Sequence, residues 1–361
     1  MVSLPTPTST LDRVRREIER NTLRARNGIA LVRGTAGPPA GATPKETVWR
    51  HGRAQLWRYR SDNVRFTPPL ILVSSLVSRS YVLDLAPGNS FIERLVDAGF
   101  DVYMFDWGEP DERDAGNLLE DYVDGYIPDG IRRVRELTRT DTVNLFGYCF
   151  GGMLALLHAA HDTRSPLNSL SVMATPIDFS QLGTLGDIFG KTSLDVANLL
   201  DNTGNIPAQV MLQGFQRLQP VAEVTKYVNL WEKLHSEEYV ASYALMAGWA
   251  TDHVPFPGGV AKQVVEMMIR DNGFVEDRIT LGGDRVSLRG ITLPLLRVTA
   301  SRDHIVPPSA AEPLLDLVGS TEKEALQLDA GHVGVLVGRS AARTTFPRII
   351  EFLHTQSEAL S

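Results

Sequence analysis

Residues 142–160, TVNLFGYCFGGMLALLHAA, decide the predicted fold of this chain. An apolar strand (142–148) passes through the turn GYCFGG (147–152) directly into an apolar helix (153–160). The turn matches the G-x-S-x-G nucleophile elbow with cysteine in place of serine, and its glycines suit a tight turn crowded by a neighbouring chain. The pattern predicts that Cys149 is a nucleophile at a helix start, where a thiolate is favoured. The alternative is an inert, buried cysteine.

Short apolar runs and helical patterns alternate on both sides of this stretch. The runs predict strands at 69–76, 101–108, 142–148, 167–176, 291–301 and 324–330, and residues 45–60 predict a hairpin. Helices are predicted at 88–99, 118–139, 153–160, 308–318 and 343–357. Strands that alternate with helices imply right-handed crossovers. The predicted class is therefore α/β, with a mostly parallel central sheet flanked by helices.

The alternation stops between residues 178 and 285, which read as helices and loops. We predict that this stretch is an inserted, mainly helical cap, and that 45–177 and 286–361 form the core. Residues 1–44 are predicted to be a helix over 10–27, stopped by Gly28, and a linker. This arginine-rich helix is either a solvated docking helix or a contact for a partner subunit or an anionic surface.

Composition limits the classes of partner and compartment. The chain has 361 residues and a net charge of −7, which makes nucleic acid an unsuitable main partner. A single cysteine excludes an intramolecular disulfide. Residues 1–10 lack the pattern of a secretory signal, and no run of about 18 apolar residues occurs. These features predict a cytoplasmic protein.

An elbow of this kind needs an acid and then a histidine further along the chain. Asp303 follows the strand at 291–301, where the acid loop of an α/β-hydrolase lies, and His332 follows the last predicted strand with glycines on both sides. We predict that His332 takes the proton of the Cys149 thiol and that Asp303 orients the imidazole. The alternative for Asp303 is a turn or capping residue, and the other seven histidines are expected to be structural or superficial.

The oxyanion hole is predicted at two backbone positions. The N–H of Phe150 supplies one donor, and the loop after strand 69–76, near Leu76 and Val77, supplies the other. The sequence contains neither H-E-x-x-H nor a cysteine cluster, so it implies no metal, and no other cofactor is predicted.

At these residues the chain resembles the polyhydroxyalkanoate synthases, α/β-hydrolase relatives with a cysteine nucleophile. The resemblance covers about residues 45–350. The supporting segments are GYCFGG (147–152), DHIVPP (303–308), GHVG (331–334), YVLDLAPGNSF (81–91), GFDVYMFDWG (99–108), GNIP (204–207), and Trp249 and Asp252 ahead of Pro257-Gly258. Where many members read I-N-R-P-Y, this chain reads VSRSY (77–81). The arginine-rich N-terminal segment has no match in this comparison.

The resemblance implies a polymerase that joins (R)-3-hydroxyacyl-CoA units into a polyester and releases CoA, which is a substrate and not a cofactor. Cys149 would carry the growing acyl chain, with His332 as the general base and Asp303 as its support. Whether His332 activates the incoming hydroxyl directly or with help from Asp303 remains open. The length resembles the short catalytic subunits of two-component synthases, which implies a second subunit, a homodimer and association with polymer granules.

Two other functions are compatible with the same residues. A cysteine-nucleophile hydrolase, such as an acyl-CoA thioesterase or esterase, would release free acid without polymer. A catalytically idle granule scaffold would not need an activated thiol, and the intact set of Cys149, Asp303 and His332 argues against it. A thioester intermediate lies close in energy to the CoA thioester, so transfer to a hydroxyl suits this site better than hydrolysis.

Overall fold

A nine-stranded sheet organises the computed structural model, which describes residues 10–34, 36–37, 39–183, 196–217, 230–337 and 340–360. Its strands are β1 (Lys45–His51), β2 (Ala54–Tyr59), β3 (Phe66–Val73), β4 (Phe100–Asp106), β5 (Val143–Tyr148) and β6 (Leu167–Met173). To these the later chain adds β11 (Leu295–Ala300), β12 (Lys323–Leu328) and β13 (Glu358–Ala359). The four short strands in between are β7 (Asn205–Ile206), β8 (Phe256–Pro257), β9 (Ile279–Leu281) and β10 (Asp284–Val286), which form two separate two-stranded sheets.

The main sheet has the order β1-β2-β4-β3-β5-β6-β11-β12, and β13 pairs with the start of β3. The six strands from β4 to β12 in this order are parallel, whereas β1 and β2 form the predicted hairpin and join β4 in antiparallel fashion. Strands β4, β5 and β6 are buried along almost their whole length, as parallel strands covered on both faces must be. The predicted α/β architecture is therefore confirmed, and the parallel strands bring their carboxyl ends to one edge.

Helices follow the strands as predicted. The α-helices that the structure describes are α1 (Thr10–Val32), α2 (Phe91–Asp97), α3 (Ile127–Thr138), α4 (Phe150–His161), α5 (Ala208–Arg217), α6 (Glu237–Thr251), α7 (Gly258–Gln263), α8 (Pro308–Ala311), α9 (Leu314–Leu317) and α10 (Phe346–Thr355). Single π-helical stretches precede α3 and α10 and follow α7, at Asp121–Tyr126, Ala341–Thr345 and Val264–Arg270. None of the described helices is both long and apolar enough to cross a membrane.

Two predicted helix boundaries are wrong. Helix α1 does not stop at Gly28 but continues to Val32. Gly28 instead lies against a neighbouring side chain, since a Cβ there would be 3.7 Å from Cδ2 of Leu234. The single helix predicted at 308–318 is two short helices, because Pro313 lacks the N–H that would continue the first one.

The chain between β6 and β11 adds no strand to the main sheet in the parts that the structure describes, 174–183, 196–217 and 230–294. Contacts group the chain into two compact units: the described parts of 1–39 and 219–251, and those of 40–218 and 252–361. The predicted division into N-terminal segment, core and cap uses other boundaries and remains a prediction.

Candidate active site

Cys149 lies in the turn between β5 and α4. Its backbone has φ 54° and ψ −120°, a conformation that residues other than glycine rarely adopt. The N–H of Cys149 donates a hydrogen bond to the carbonyl of Met173, at the end of β6, at 2.8 Å. The strained turn thus holds a partly exposed thiol at the carboxyl edge of the sheet.

Three glycines are required around Cys149 because neighbouring groups leave no room for a Cβ. A Cβ at Gly147 would lie 2.4 Å from Cα of Gly152, and a Cβ at Gly151 would lie 2.1 Å from the carbonyl oxygen of Val73. At Gly152, a Cβ would lie 1.9 Å from the hydroxyl of Thr175. The end of β3 therefore passes directly beside the start of α4.

Asp303 lies in the loop after β11, and its side chain is fully buried. Its Oδ1 accepts hydrogen bonds from the backbone N–H groups of Ile305 and Val306, both at 2.8 Å. Its Oδ2 accepts the Nδ1–H of His332 at 2.7 Å. Both carboxylate oxygens are thus engaged, which fixes the orientation of the carboxylate and of the imidazole.

His332 lies in the loop after β12, next to the loop that carries Asp303. The N–H of Arg302 donates to the carbonyl of Ala330 at 2.9 Å and ties the two loops together. Because Nδ1 of His332 faces Asp303, Nε2 is the nitrogen left for its hydrogen bond with the side chain of Cys149. The structure therefore brings together the three residues that the sequence singles out.

The surroundings of His332 act on its pKa in opposite directions. Burial is the largest effect and lowers the pKa. The charge of an ionised Cys149 and the hydrogen bonds to Asp303 and Cys149 raise it, and together they bring it to about 10. Next to an ionised sulfur, the imidazole therefore keeps its proton throughout the neutral pH range.

Tyr148 is a neighbour of the site that sequence reasoning did not single out. Its hydroxyl donates to the backbone carbonyl of His332 at 3.3 Å, and the two rings lie 5.5 Å apart. Burial raises the pKa of Tyr148 well above its usual value, and the nearby charges of Cys149 and Asp303 act in the same direction. Because Tyr148 directly precedes Cys149 in the sequence, its place near the site could have been inferred from the elbow pattern.

Of the two predicted oxyanion donors, Phe150 lies in the elbow and Val77 lies in the loop that begins beside it. Phe150 is the first residue of α4, and the first N–H groups of a helix have no acceptor within it. The loop after β3 reaches the same helix start through the close approach of Val73 and Ser74 to Gly151. In this loop the N–H of Val77 makes a long contact of 3.4 Å to Oγ of Ser75, and it has no other acceptor among the described residues.

Two of the remaining histidines, His158 and His304, have the structural and surface positions expected from the sequence. His158 is buried, with Nδ1 on the carbonyl of Val123 at 2.9 Å and Nε2 on the hydroxyl of Ser165 at 2.8 Å. His304 is exposed, whereas Asp303 beside it is buried. Within the described part of the chain, no group of three or more His, Cys, Asp or Glu could hold a metal ion.

Comparison with known proteins places this geometry in a family. The family model of the alpha/beta hydrolase fold, Abhydrolase_1, matches residues 68–338. A protein of Allochromatium vinosum named poly(3-hydroxyalkanoate) polymerase subunit PhaC is 33% identical over 321 residues, which are 87% of this chain and 89% of that protein. The protein of the same name from Thiocystis violacea is 30% identical over 351 residues, 96% of this chain and 98% of that protein.

A third relative with this name is longer. The protein of Haloferax mediterranei is 32% identical over 321 residues, which make up 88% of this chain and 65% of that protein. The chain therefore spans just under two thirds of the length of this relative and nearly the whole length of the Thiocystis violacea protein.

Proposed function

The chain belongs to the family of poly(3-hydroxyalkanoate) polymerase subunits PhaC, within the alpha/beta hydrolase fold, and we propose that Cys149, His332 and Asp303 perform its acyl transfer. The substrate is an (R)-3-hydroxyacyl-CoA, and the products are a polyester and CoA. The observation that carries this proposal is the hydrogen-bonded series from Asp303 through His332 to the thiol of the elbow.

The first step loads an acyl group onto the enzyme. The sulfur of Cys149 attacks the carbonyl carbon of the CoA thioester, a new S–C bond forms, and the old S–C bond to CoA breaks. The protonated His332 returns a proton to the CoA sulfur, so that CoA leaves as a thiol. During this step the negative charge on the carbonyl oxygen is stabilised by the backbone donors of Phe150 and the loop at Val77.

The second step transfers the acyl group to a hydroxyl. His332, now neutral, accepts the proton of the attacking 3-hydroxyl group, and the new ester forms as the bond to Cys149 breaks. Asp303 does not take this proton, because Oδ1 accepts two backbone N–H groups and Oδ2 accepts the imidazole. Its role is to hold the tautomer and the orientation of His332.

We propose partners for this chain as well. The name "subunit" given to the relatives supports a second synthase subunit as a partner of this chain. We further propose a homodimer that acts in the cytoplasm at the surface of polymer granules, without a nucleic acid partner or a cofactor.

The test is the fate of (R)-3-hydroxybutyryl-CoA with the purified chain. CoA release is followed with a thiol reagent, the other product is identified as polymer or free acid, and the acylated residue is located by mass spectrometry. We expect polyester and an acyl group on Cys149. Free hydroxy acid as the only product would identify a thioesterase, and acylation of another residue would overturn the assignment.

Replacement of the nucleophile gives the matched comparison. Cys149→Ala should lower polymer formation by at least about 10³-fold while the circular dichroism spectrum and the melting temperature stay close to those of the wild type. Cys149→Ser should be far slower than the wild type, because an alcohol needs stronger activation than a thiol. Polymer formation by Cys149→Ala above trace level would contradict the proposal.

A further inference from the structure

Two residues that follow α6 contact the chain that leaves β3. Asp252 accepts a hydrogen bond from Nε of Arg79 at 3.1 Å on Oδ1 and another from the hydroxyl of Tyr81 at 3.0 Å on Oδ2. A single carboxylate thus holds two side chains of one short segment. Burial, followed by the hydrogen bond and the charge of Asp252, raises the pKa of Tyr81, so its hydroxyl remains a donor at physiological pH.

The next residue binds the backbone of the same segment. Nδ1–H of His253 donates to the carbonyl of Val77 at 3.1 Å. The ring of His253 is stacked on Phe215 of α5, with 5.1 Å between the ring centroids and 6° between the planes. The stacking fixes the orientation of the imidazole. Its hydrogen bond then holds the backbone carbonyl of Val77 in place.

Arg79 is also held from the core. Its Nη2 donates to Glu109, in the segment that follows β4, at 2.8 Å. Arg79 thus bridges Glu109, which follows β4, and Asp252, which follows α6. The segment that carries the predicted second oxyanion donor is consequently fixed between the core and the residues after α6.

We propose that Asp252 and His253 are positioning residues that hold the oxyanion loop, residues 74–81, against the start of α4. The proposal rests on the proposed function, since it concerns the charge that develops on the thioester carbonyl oxygen. Neither residue touches Cys149, His332 or Asp303 in the contacts described above. Their loss should therefore slow acyl transfer without changing the reactivity of the thiol.

Two rates measured on the same protein distinguish a defect in the oxyanion loop from a defect in the reactivity of the thiol. The rate of acyl transfer is measured as kcat for CoA release from (R)-3-hydroxybutyryl-CoA, and it depends on the oxyanion donors. The rate of alkylation of Cys149 by iodoacetamide depends on the thiolate but forms no oxyanion. A defect in the oxyanion loop alters the first rate alone, whereas a defect in the Cys149–His332 pair alters both.

We expect His253→Leu and Asp252→Ala to lower kcat by about 10-fold, below the effect of about 10² to 10³ for complete loss of one oxyanion donor. KM should change by less than about twofold, and the alkylation rate should equal that of the wild type. His253→Asn keeps a donor near the position of Nδ1 and should restore most of kcat. Thr251→Ala, whose hydroxyl bonds to carbonyls of its own helix, is the control and should match the wild type.

Tyr81→Phe removes a single oxygen atom, and we expect it to lower kcat by about threefold. This variant tests the proposal even if His253→Leu and Asp252→Ala prevent folding. Wild-type kcat in His253→Leu, Asp252→Ala and Tyr81→Phe would overturn the proposal. A parallel fall of alkylation and kcat would also overturn it, because the effect would then act through the thiol. Failure of the proposed function has a different signature, namely turnover that persists in Cys149→Ala.

Discussion

At the scale of single residues, the charge on His332 controls the reactivity of the site. With a pKa raised to about 10 beside an ionised Cys149, His332 is positively charged at every pH between 6 and 9. The protonated imidazole can therefore give its proton to the sulfur of the leaving CoA. Beside the ionised sulfur, this positive charge on His332 is lost only as the pH rises through about 10.

The alkylation of Cys149 tests this arrangement. At pH 7, the wild type is compared with His332→Gln, in which the imidazolium is absent. The rate of reaction with iodoacetamide should be at least about 10-fold lower in His332→Gln, because no positive charge remains next to the sulfur. Equal rates in the two proteins would refute the ion pair.

Tyr148 offers a second prediction for a single residue. Tyr148→Phe removes the hydrogen bond to the carbonyl of His332, which is expected to cost about 1 kcal/mol of positioning. We expect kcat to fall by about three- to tenfold and KM to remain unchanged. Tyr59→Phe is the matched control, because the buried Tyr59 hydroxyl has no hydrogen-bond partner among the described residues. A loss of kcat as large in the control would contradict the role of Tyr148.

At the scale of elements, the elbow depends on the backbone contacts of two helix residues. Gly152→Ala would meet the side chain of Thr175, whereas Gly151→Ala would meet the backbone carbonyl of Val73. Both variants should lower the melting temperature and abolish turnover, since contacts this short cannot be accommodated without movement. A second substitution can remove the clash with the Thr175 side chain, but none can remove the clash with the backbone carbonyl of Val73.

A double mutant therefore distinguishes the two positions. Thr175→Ala removes the hydroxyl that would lie 1.9 Å from the Cβ added in Gly152→Ala. The Cβ of residue 175 remains, 2.9 Å from the added Cβ. The second substitution should therefore restore part of the stability lost in Gly152→Ala. It should restore none in Gly151→Ala. Gly214→Ala, with nothing within 4 Å of the added Cβ, is the control for helix propensity and should be neutral or stabilising by up to about 1 kcal/mol. Equal rescue of both variants would contradict the contacts described here.

Elements of the fold differ in how well sequence predicts them. Apolar runs such as 69–76 and 142–148 predict the buried strands β3 and β5 to within a few residues, because burial on both faces admits few polar residues. Helix ends are predicted less accurately. Gly28 is a suitable stop by local propensity, but α1 continues past it to Val32. The neighbouring Asn27 is held by its hydrogen bond to the carbonyl of Leu234, a contact that local propensity does not include.

The residues of the candidate site also differ in how well the sequence predicts them. Cys149, Asp303 and His332 could be found because each follows a predicted strand, and parallel strands end at one edge. The hydroxyl of Tyr148 and the contact of His253 with Val77 could not be found, because they depend on side-chain directions and on the path of the chain after α6. Local patterns carry no information about such contacts.

At the scale of the whole molecule, the chain forms two compact units. The small unit comprises the described parts of 1–39 and 219–251, and the larger unit contains the main sheet. Within the small unit, the buried Asn27 of α1 donates from Nδ2 to the carbonyl of Leu234 at 2.9 Å, and Arg26 forms an ion pair with Glu237. The ion pair is exposed and contributes little. The buried amide is the stronger link, since its removal leaves a carbonyl without its partner.

Asn27→Ala should therefore weaken the small unit by about 1–3 kcal/mol. Hydrogen exchange measured by mass spectrometry should become faster in peptides from 10–34 and 230–251, because these segments contain both ends of the lost hydrogen bond. Exchange in β5 should not change if the larger unit keeps its own core. Asn21→Ala, which loses only a contact with Arg24 on the same helix, is the control and should leave both regions unchanged. Faster exchange in β5 to the same degree would mean that the two units unfold as one.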